Sequence, residues 1–353
     1  MAALPNPAFW NGRRVLLTGH SGFKGSWCAL WLQAMGAKVH GLSLAPETDP
    51  NLFGILGLGK DIPDPFGDIR DIETIRTAVA KASPQIVLHM AAQPLVRRSV
   101  RAPVPTFDTN VMGTVNLLEA LRDAEGLEAV LIITTDKVYE NPETGRAFRE
   151  TDPLGGHDPY SASKAAAEIV TASYRRTYFE PTSVPLATAR GGNVIGGGDF
   201  SEDRIVPDIW RAQRAGMPLE LRNPNATRPW QHVLDCLAGY LAYAEALALK
   251  QPVPTSLNFG PLLNHPVPVS ALAQAMQQAL GGSGEWSQLN GPKMHEMQAL
   301  ALDVTVASEV LGFEDRLVGH AAIAATADWY LAFDRGEDMR ALTLRAIEDY
   351  CAK

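Results

Sequence analysis

Cysteine is scarce in this chain of 353 residues, since Cys28, Cys236 and Cys351 are far apart and odd in number. They form no disulfide framework and no zinc-type cluster, so no metal is expected and the chain is assigned to a reducing cytoplasm. No apolar run is long enough to cross a bilayer. The opening Met1-Ala-Ala-Leu-Pro-Asn-Pro-Ala-Phe-Trp10 also lacks the basic segment and apolar core of a secretory signal. Positive charge is in deficit, with 31 Lys and Arg facing 39 Asp and Glu for a formal charge of -8. That balance argues against a nonspecific hold on nucleic acid, while leaving room for a local basic pocket for a phosphorylated ligand. Disorder finds no support either, because 46% apolar and 20% charged residues are ordinary for a globular enzyme.

What the chain does have is regular alternation. Arg14-Val-Leu-Leu-Thr18 is a short apolar run that enters a glycine-rich turn, then a helical pattern from Ser26 to Met35 closed by Gly36, then a second run from Lys38 to Leu44. Helices are expected near Ile72 to Ala82 and Val111 to Ala124. Strands are expected at Gln85 to His89, Ala129 to Thr134 and Val184 to Arg190, with a helix carrying Tyr160. This order predicts an α/β fold, a doubly wound, Rossmann-like parallel sheet covered on both faces, with a smaller C-terminal substrate domain. After Arg190 the texture turns to loops rich in glycine, proline and charge, with helical segments from about Ser270 to Leu280, Val304 to Leu311 and Ala321 to Tyr350. Residues 1–190 with about 232–260 are expected to form the cofactor domain, and about 191–231 with 261–353 the substrate domain.

The turn Gly19-His20-Ser21-Gly22-Phe23-Lys24-Gly25 lies between a predicted strand and helix. There, small residues let backbone N–H groups approach a pyrophosphate at the helix start, so the turn is read as a dinucleotide cradle. His20 and Lys24 add potential positive charge, aimed either at cofactor phosphates and ribose or at solvent. The acid that usually ends the second strand and holds the NAD ribose is missing, since Ser43 and Leu44 stand there and Glu47 lies beyond; the NAD/NADP choice is not settled by that residue. Asp68, with Ile69 beside it, sits against the adenine edge or in a turn or cap. Ala91 and Ala92 are small enough for close cofactor contact, whereas His89 reads as a core histidine.

Tyr160 and Lys164 are four residues apart and share a helix face. A lysine there favours the phenolate, and so predicts a base near neutrality that takes the proton of an alcohol losing hydride. The pair alone is a common spacing. Thr135-Asp136-Lys137, at the carboxyl end of a strand where open parallel sheets bind ligands, adds an acid-base pair, which hints at elimination or, in its absence of context, at a surface ion pair.

Taken together, Thr18 to Gly25, Thr135-Asp-Lys137, Gly192-Asn-Val-Ile-Gly-Gly-Gly-Asp199 and Arg228-Pro-Trp-Gln-His-Val233 resemble the extended short-chain dehydrogenase/reductase superfamily over nearly the whole chain, and within it the CDP-glucose 4,6-dehydratases. The dTDP-glucose dehydratases carry a glutamate where this chain has Lys137. GDP-mannose dehydratases and sugar-nucleotide epimerases share the Tyr/Lys helix without the Asp-Lys pair. Gly191 stands where the family often has alanine. The resemblance implies NAD as a recycled cofactor and CDP-glucose as substrate. Tyr160 would take the C4 hydroxyl proton as hydride leaves C4, and Thr135 would hold the C4 oxygen. Lys137 would remove the C5 proton, Asp136 would protonate the departing C6 hydroxyl, and hydride would return to C6. It also implies Asn193 and Arg228 as diphosphate contacts, with Arg204 and Arg222 as further candidates because guanidinium suits phosphate. Trp230 and Trp286 either stack a base or pack internally. A homodimer through the helices at about Val111 to Ala124 and Tyr160 to Tyr178 follows by analogy, with neither nucleic acid nor membrane as partner. The competing readings are an epimerase, a dehydratase of another nucleotide sugar, and a noncatalytic NAD-binding sensor.

Overall fold

The computed structural model describes residues 4–63, 66–262, 267–289 and 299–353. Its centre is a parallel sheet built from Arg14–Thr18 (β1), Lys38–Leu42 (β2), Ile86–His89 (β3), Ala129–Thr135 (β4), Leu186–Gly191 (β5) and the strand Ser256–Phe259. Their order across the sheet is Ser256–Phe259, β5, β4, β3, β1, β2. Strand residues alternate between two cores, as a period of two demands. Val15, Leu17, Leu88, Leu131 and Ile133 face the core that holds helices Phe23–Ala34 and Val233–Ala248. Leu16, Val87, Val130 and Ile132 face the core that holds helices Ile72–Ala82 and Gly113–Leu121. With both faces covered, β4 is buried along its whole length, which is why it reads as an unbroken apolar run.

Helix Ile72–Ala82 has the bounds the sequence predicts, because Asp71 caps its start by accepting the Glu73 amide at 3.0 Å and Ser83 ends it in the left-handed region at φ 40°. Elsewhere the chain differs from expectation. The predicted helix from Val111 to Ala124 is preceded by helices Val96–Arg101 and Pro103–Phe107 and enters through a π turn at Asp108–Met112 before the regular Gly113–Leu121 segment. The predicted helix from Ala321 to Tyr350 is two helices, His320–Asp334 and Met339–Ala352, separated at Gly336 with φ 73° and restarted by the Asp338 cap.

Apart from helix Val233–Ala248 and strand Ser256–Phe259, the segments after β5 lie outside the sheet. An aromatic cluster of Phe200, Trp210, Trp329, Tyr330 and Phe333 anchors them, with Trp329 and Phe333 stacked at 5.7 Å. Tyr330 donates to the Asp199 carbonyl at 2.5 Å and Trp27 to the Gly197 carbonyl at 2.9 Å, so the glycine-rich loop is pinned from both sides. A Cβ on Gly197 would land on the Trp329 ring. Among the described residues no helix is long and apolar enough to cross a membrane.

Candidate active site

The strand order reverses between β1 and β3, so the crevice outside their carboxyl ends is where a doubly wound sheet takes its ligand. Two loops meet there at van der Waals limit. Gly19 has φ 76°, and a Cβ on it would stand 2.6 Å from the Ala91 amide nitrogen, while a Cβ on Gly25 would land on the Gly19 carbonyl. The helix that begins at Phe23 has Gly22 as its N-cap and no side chain capping it. Its first amides face a cradle with no side chains in the way, which fits the pyrophosphate of a dinucleotide.

Other parts of the loop differ from the sequence expectation. His20 turns inward and is fully buried, its ring against Gly41 and edge-on to Phe53 at 5.4 Å, with Ser43 Oγ 3.2 Å from Nδ1. Burial pushes it down to about 4, against a hydrogen bond to the Leu42 backbone carbonyl, so the expected positive charge is not there. Ser21 donates to the Leu44 carbonyl at 2.8 Å and accepts from Ser43 at 2.8 Å, tying the loop to the end of β2. Lys24 turns away from solvent. Its Nζ lies 5.5 Å from the centre of the Tyr240 ring, and burial lowers its pKa. Asp68 forms a turn, accepting the Arg70 amide at 2.9 Å and its guanidinium at 2.9 Å, while Ile69 packs on Gly113. Glu47 pairs with Arg98 at 2.5 Å. His89 is a core histidine, 2.7 Å from Thr18 Oγ1 and 3.3 Å from Thr114 Oγ1, and burial pushes it down to about 3.

A cavity of about 420 Å³ opens beside the crevice. Lys24, Ala92, Thr135, Asp136, Lys137, Tyr160, Lys164, Asn193, Arg204, Arg222 and Arg228 all line it, so the two pairs expected to be catalytic and the expected diphosphate residues come together. Gly19, His20, Ser21, Gly22, Phe23, Gly25, Asp68, Ile69 and Ala91 do not line it; they belong to the crevice and its approaches. The Tyr160 helix starts at Pro159 behind an Asp158 cap that accepts the Ser161 amide at 3.0 Å. Lys164 Nζ donates to the Ile133 carbonyl of β4 at 2.8 Å. Thr135 Oγ1 donates to Asp136 Oδ1 at 2.9 Å, and Asp136 Oδ2 is buried with no partner among the described residues.

The electrostatics correct one expectation. Burial pushes the Tyr160 phenol up to about 12, only partly offset by the Thr135 hydroxyl and Arg204, opposite to the direction that its spacing from Lys164 predicts. Lys164 is itself pulled down to about 7 by burial, with the Lys24 cation adding and Glu168 opposing, and a half-neutral lysine holds a phenolate weakly. Burial also raises the Asp136 carboxyl, against Lys137, Thr135, Arg228 and Lys24, which favours its protonated form.

Several positioning residues escape sequence reasoning. Ser99 Oγ accepts the Tyr160 amide at 3.0 Å, Ser163 donates to the Tyr160 carbonyl at 2.7 Å, and Asn110 in the π turn donates to Ser163 at 2.8 Å while accepting the Gln93 amide at 2.8 Å. Beneath the site Arg190 and Glu168 form a buried bidentate pair at 2.8 and 3.0 Å. Arg97 and Asp203 line the cavity as well. Only the π turn has a recognisable correlate, since such turns gather at functional sites, and it is not visible in one sequence. Asn193 Oδ1 is buried without a partner among the described residues, and Arg228 is almost fully buried on the short strand Thr227–Arg228. Trp230 lines the cavity and donates to the Val267 carbonyl at 3.1 Å, whereas Trp286 is partly exposed on the short strand Trp286–Gln288.

The family model described as GDP-mannose 4,6 dehydratase matches residues 16–256. A CDP-glucose 4,6-dehydratase of Salmonella typhimurium is 43% identical over 348 residues, 97% of each chain. Among solved structures, DesIV of Streptomyces venezuelae, a dTDP-glucose 4,6-dehydratase with NAD and TYD bound, superposes with a TM-score of 0.77 at 25% identity, covering 92% of this chain and 98% of that one. The epimerase Mth375 of Methanothermobacter thermautotrophicus, at 22% identity and a TM-score of 0.79 over 93% of this chain and 95% of its own, shares the fold. With its crevice, its Tyr/Lys helix and a family model that spans both, the chain belongs to the GDP-mannose 4,6-dehydratase family of nucleotide-sugar enzymes, within the extended short-chain dehydrogenase/reductase superfamily.

Proposed function

We propose that the protein is a hydro-lyase that converts CDP-D-glucose into CDP-4-keto-6-deoxy-D-glucose and water, a step of deoxysugar biosynthesis. One observation carries this reading: the Tyr160/Lys164 pair of an alcohol oxidation and the Asp136/Lys137 pair of an elimination line a single cavity. The choice of cytidine rests on the Salmonella typhimurium relative.

The turn Gly19–Gly25 with Asp68, Ile69, Ala91 and Ala92 would hold NAD, with Tyr160 and Lys164 at its reactive end. Bound there, NAD supplies a hydride acceptor for sugar C4 and a donor for C6, and is unchanged over the cycle. Tyr160 takes the C4 hydroxyl proton, and the Thr135 hydroxyl, turned from Asp136, holds the C4 oxygen. The C4 ketone acidifies the C5 proton, which Lys137 removes. Asp136, kept protonated by burial, gives its proton to the C6 hydroxyl so that it departs as water. C5 is then reprotonated as C6 becomes a methyl group. Asn193, Arg204, Arg222 and Arg228 take the diphosphate.

Residues 1–190 with about 232–260 serve as the cofactor domain, and about 191–231 with 261–353 as the substrate domain. The reading includes a homodimer through the Tyr160 helix and its neighbour, and a cytoplasmic location, which suits three free thiols. Purified protein with NAD and CDP-glucose should yield a product lighter by one water in mass spectrometry, and a panel of other nucleotide-glucoses should turn over more slowly. A product of unchanged mass would mean epimerisation. Inactivity across the panel would return the noncatalytic sensor.

A further inference from the structure

Arg97 has no part in the mechanism above, yet it lines the cavity with Arg204, Arg222 and Arg228. Three segments distant in sequence meet there: helix Val96–Arg101 after β3, the loop before helix Ile205–Ala215, and the residue that follows strand Leu219–Leu221. Arg97 Nη1 and Arg222 Nη1 each donate to the same atom, Asp203 Oδ1, at 2.7 Å, and Arg222 Nη2 reaches the Asp203 carbonyl at 3.3 Å. Two guanidinium groups converging on one anionic oxygen is the arrangement a phosphate oxygen receives.

The Asp203 backbone is held at φ 57°, in the left-handed region that costs a side-chain-bearing residue energy. Burial pushes the Asp203 carboxyl up, but hydrogen bonds from Arg97 and Arg222 outweigh it and hold the group below its usual range, so it is charged at neutral pH. This charge offsets two cations that would otherwise repel. Once a diphosphate arrives the same carboxylate becomes a like charge beside it.

We propose that Asp203 is a built-in stand-in for the substrate diphosphate, and that Arg97 is a diphosphate-binding residue. The entering diphosphate takes over the guanidinium groups of Arg97 and Arg222, and the displaced carboxylate turns outward to Arg101, whose Nη1 already lies 4.0 Å from Asp203 Oδ2 on the solvent side. A ligand with too little negative charge does not displace it, so the exchange selects for a diphosphate. The inference rests on the nucleotide-sugar reading of the cavity.

Calorimetric titration of CDP into the NAD-loaded holoenzyme tests it. Asp203→Asn removes the competing charge and is expected to tighten CDP by about fivefold, the sum of two partly exposed ion pairs no longer broken on binding. Arg97→Ala should weaken CDP by about tenfold. Glu202→Gln, on the same loop but paired outward with Arg98 and Arg101, should leave it unchanged. Unchanged or weaker CDP binding by Asp203→Asn would overturn the proposal, because the carboxylate would then be holding the arginines in place and not occupying their phosphate seat. Wild-type affinity in Arg97→Ala would overturn it equally. If Asp203→Asn does not fold, Asp203→Ser gives the same comparison. Turnover of CDP-glucose by the wild type is scored separately. Its failure sinks the substrate reading, and inorganic pyrophosphate, which carries no base, then ranks the same variants.

Discussion

The Tyr160 phenol should stay protonated through the neutral range while the protein holds no ligand. Burial pushes it up to about 12, and the residue expected to draw its proton off, Lys164, is buried and pulled down to about 7. At pH 8 such a phenol is ionised in about one molecule in 10⁴. Lowering it to the working pH takes about 5 kcal/mol, at roughly 1.4 kcal/mol per unit. A positive charge brought within about 4–6 Å supplies one to three units of that, and hydrogen bonding to the phenolate adds to it, so loading the crevice is what makes the base. The assay is a pH titration of phenolate absorbance, wild type minus Tyr160→Phe, which isolates this residue among eight tyrosines. No Tyr160 phenolate should appear below about pH 10 in the free protein, and one should appear at lower pH after saturation with NAD. A Tyr160-dependent phenolate below about pH 8 in the free protein would refute the reasoning.

Asp136→Asn should permit C4 oxidation and exchange of the C5 proton with solvent while slowing loss of water by about 10²–10⁴. Normal dehydration by this variant would remove Asp136 as the acid. Gly191→Ala, the residue common in the family, would place its methyl on the buried Tyr240 hydroxyl and should cost about 1–3 kcal/mol in denaturant unfolding, recovered by adding Tyr240→Phe. Additive losses in the double variant would sink that coupling. Gly25→Ala would drive a methyl into the Gly19 carbonyl and should abolish NAD binding followed by protein fluorescence quenching; wild-type affinity would show that the turn is not the cradle.

The sheet was legible because strands covered on both faces read as unbroken apolar runs, and helix Ile72–Ala82 because it is amphipathic and carries its own cap. Helix Val233–Ala248 carries no such period, since nearly every one of its residues is buried, and only its place between loops hints at it. Tyr160, Lys164, Asp136 and Lys137 were legible because each pair is local in sequence. What surrounds them was not. Asn110 to Ser163 and Arg97 to Asp203 are bonds between common residue types 53 and 106 positions apart, set by how the loops fold over the sheet. His20 misleads for a related reason: its neutral, buried state depends on the space left by Gly41 on the neighbouring strand.

The division of labour between Asp136 and Lys137 follows from how differently the two oxygens of Asp136 are served. Oδ1 accepts from Thr135, while Oδ2 is buried beside Gly192 with no partner among the described residues. A carboxylate in that position leaves a full lone-pair set of Oδ2 unsolvated, a cost that placing a proton on Oδ2 removes. The proton then sits on the oxygen that is free to give it away. In the proposed reaction this makes Asp136 the acid that the leaving hydroxyl needs and leaves removal of the C5 proton to Lys137. The cations that share the cavity, Lys24, Arg204 and Arg228, favour the negative charge that spreads toward the C4 oxygen as C5 loses its proton. In the proposed cycle Tyr160 and Lys164 account for the oxidation, and the buried, half-satisfied Asp136 commits the oxidised sugar to losing water.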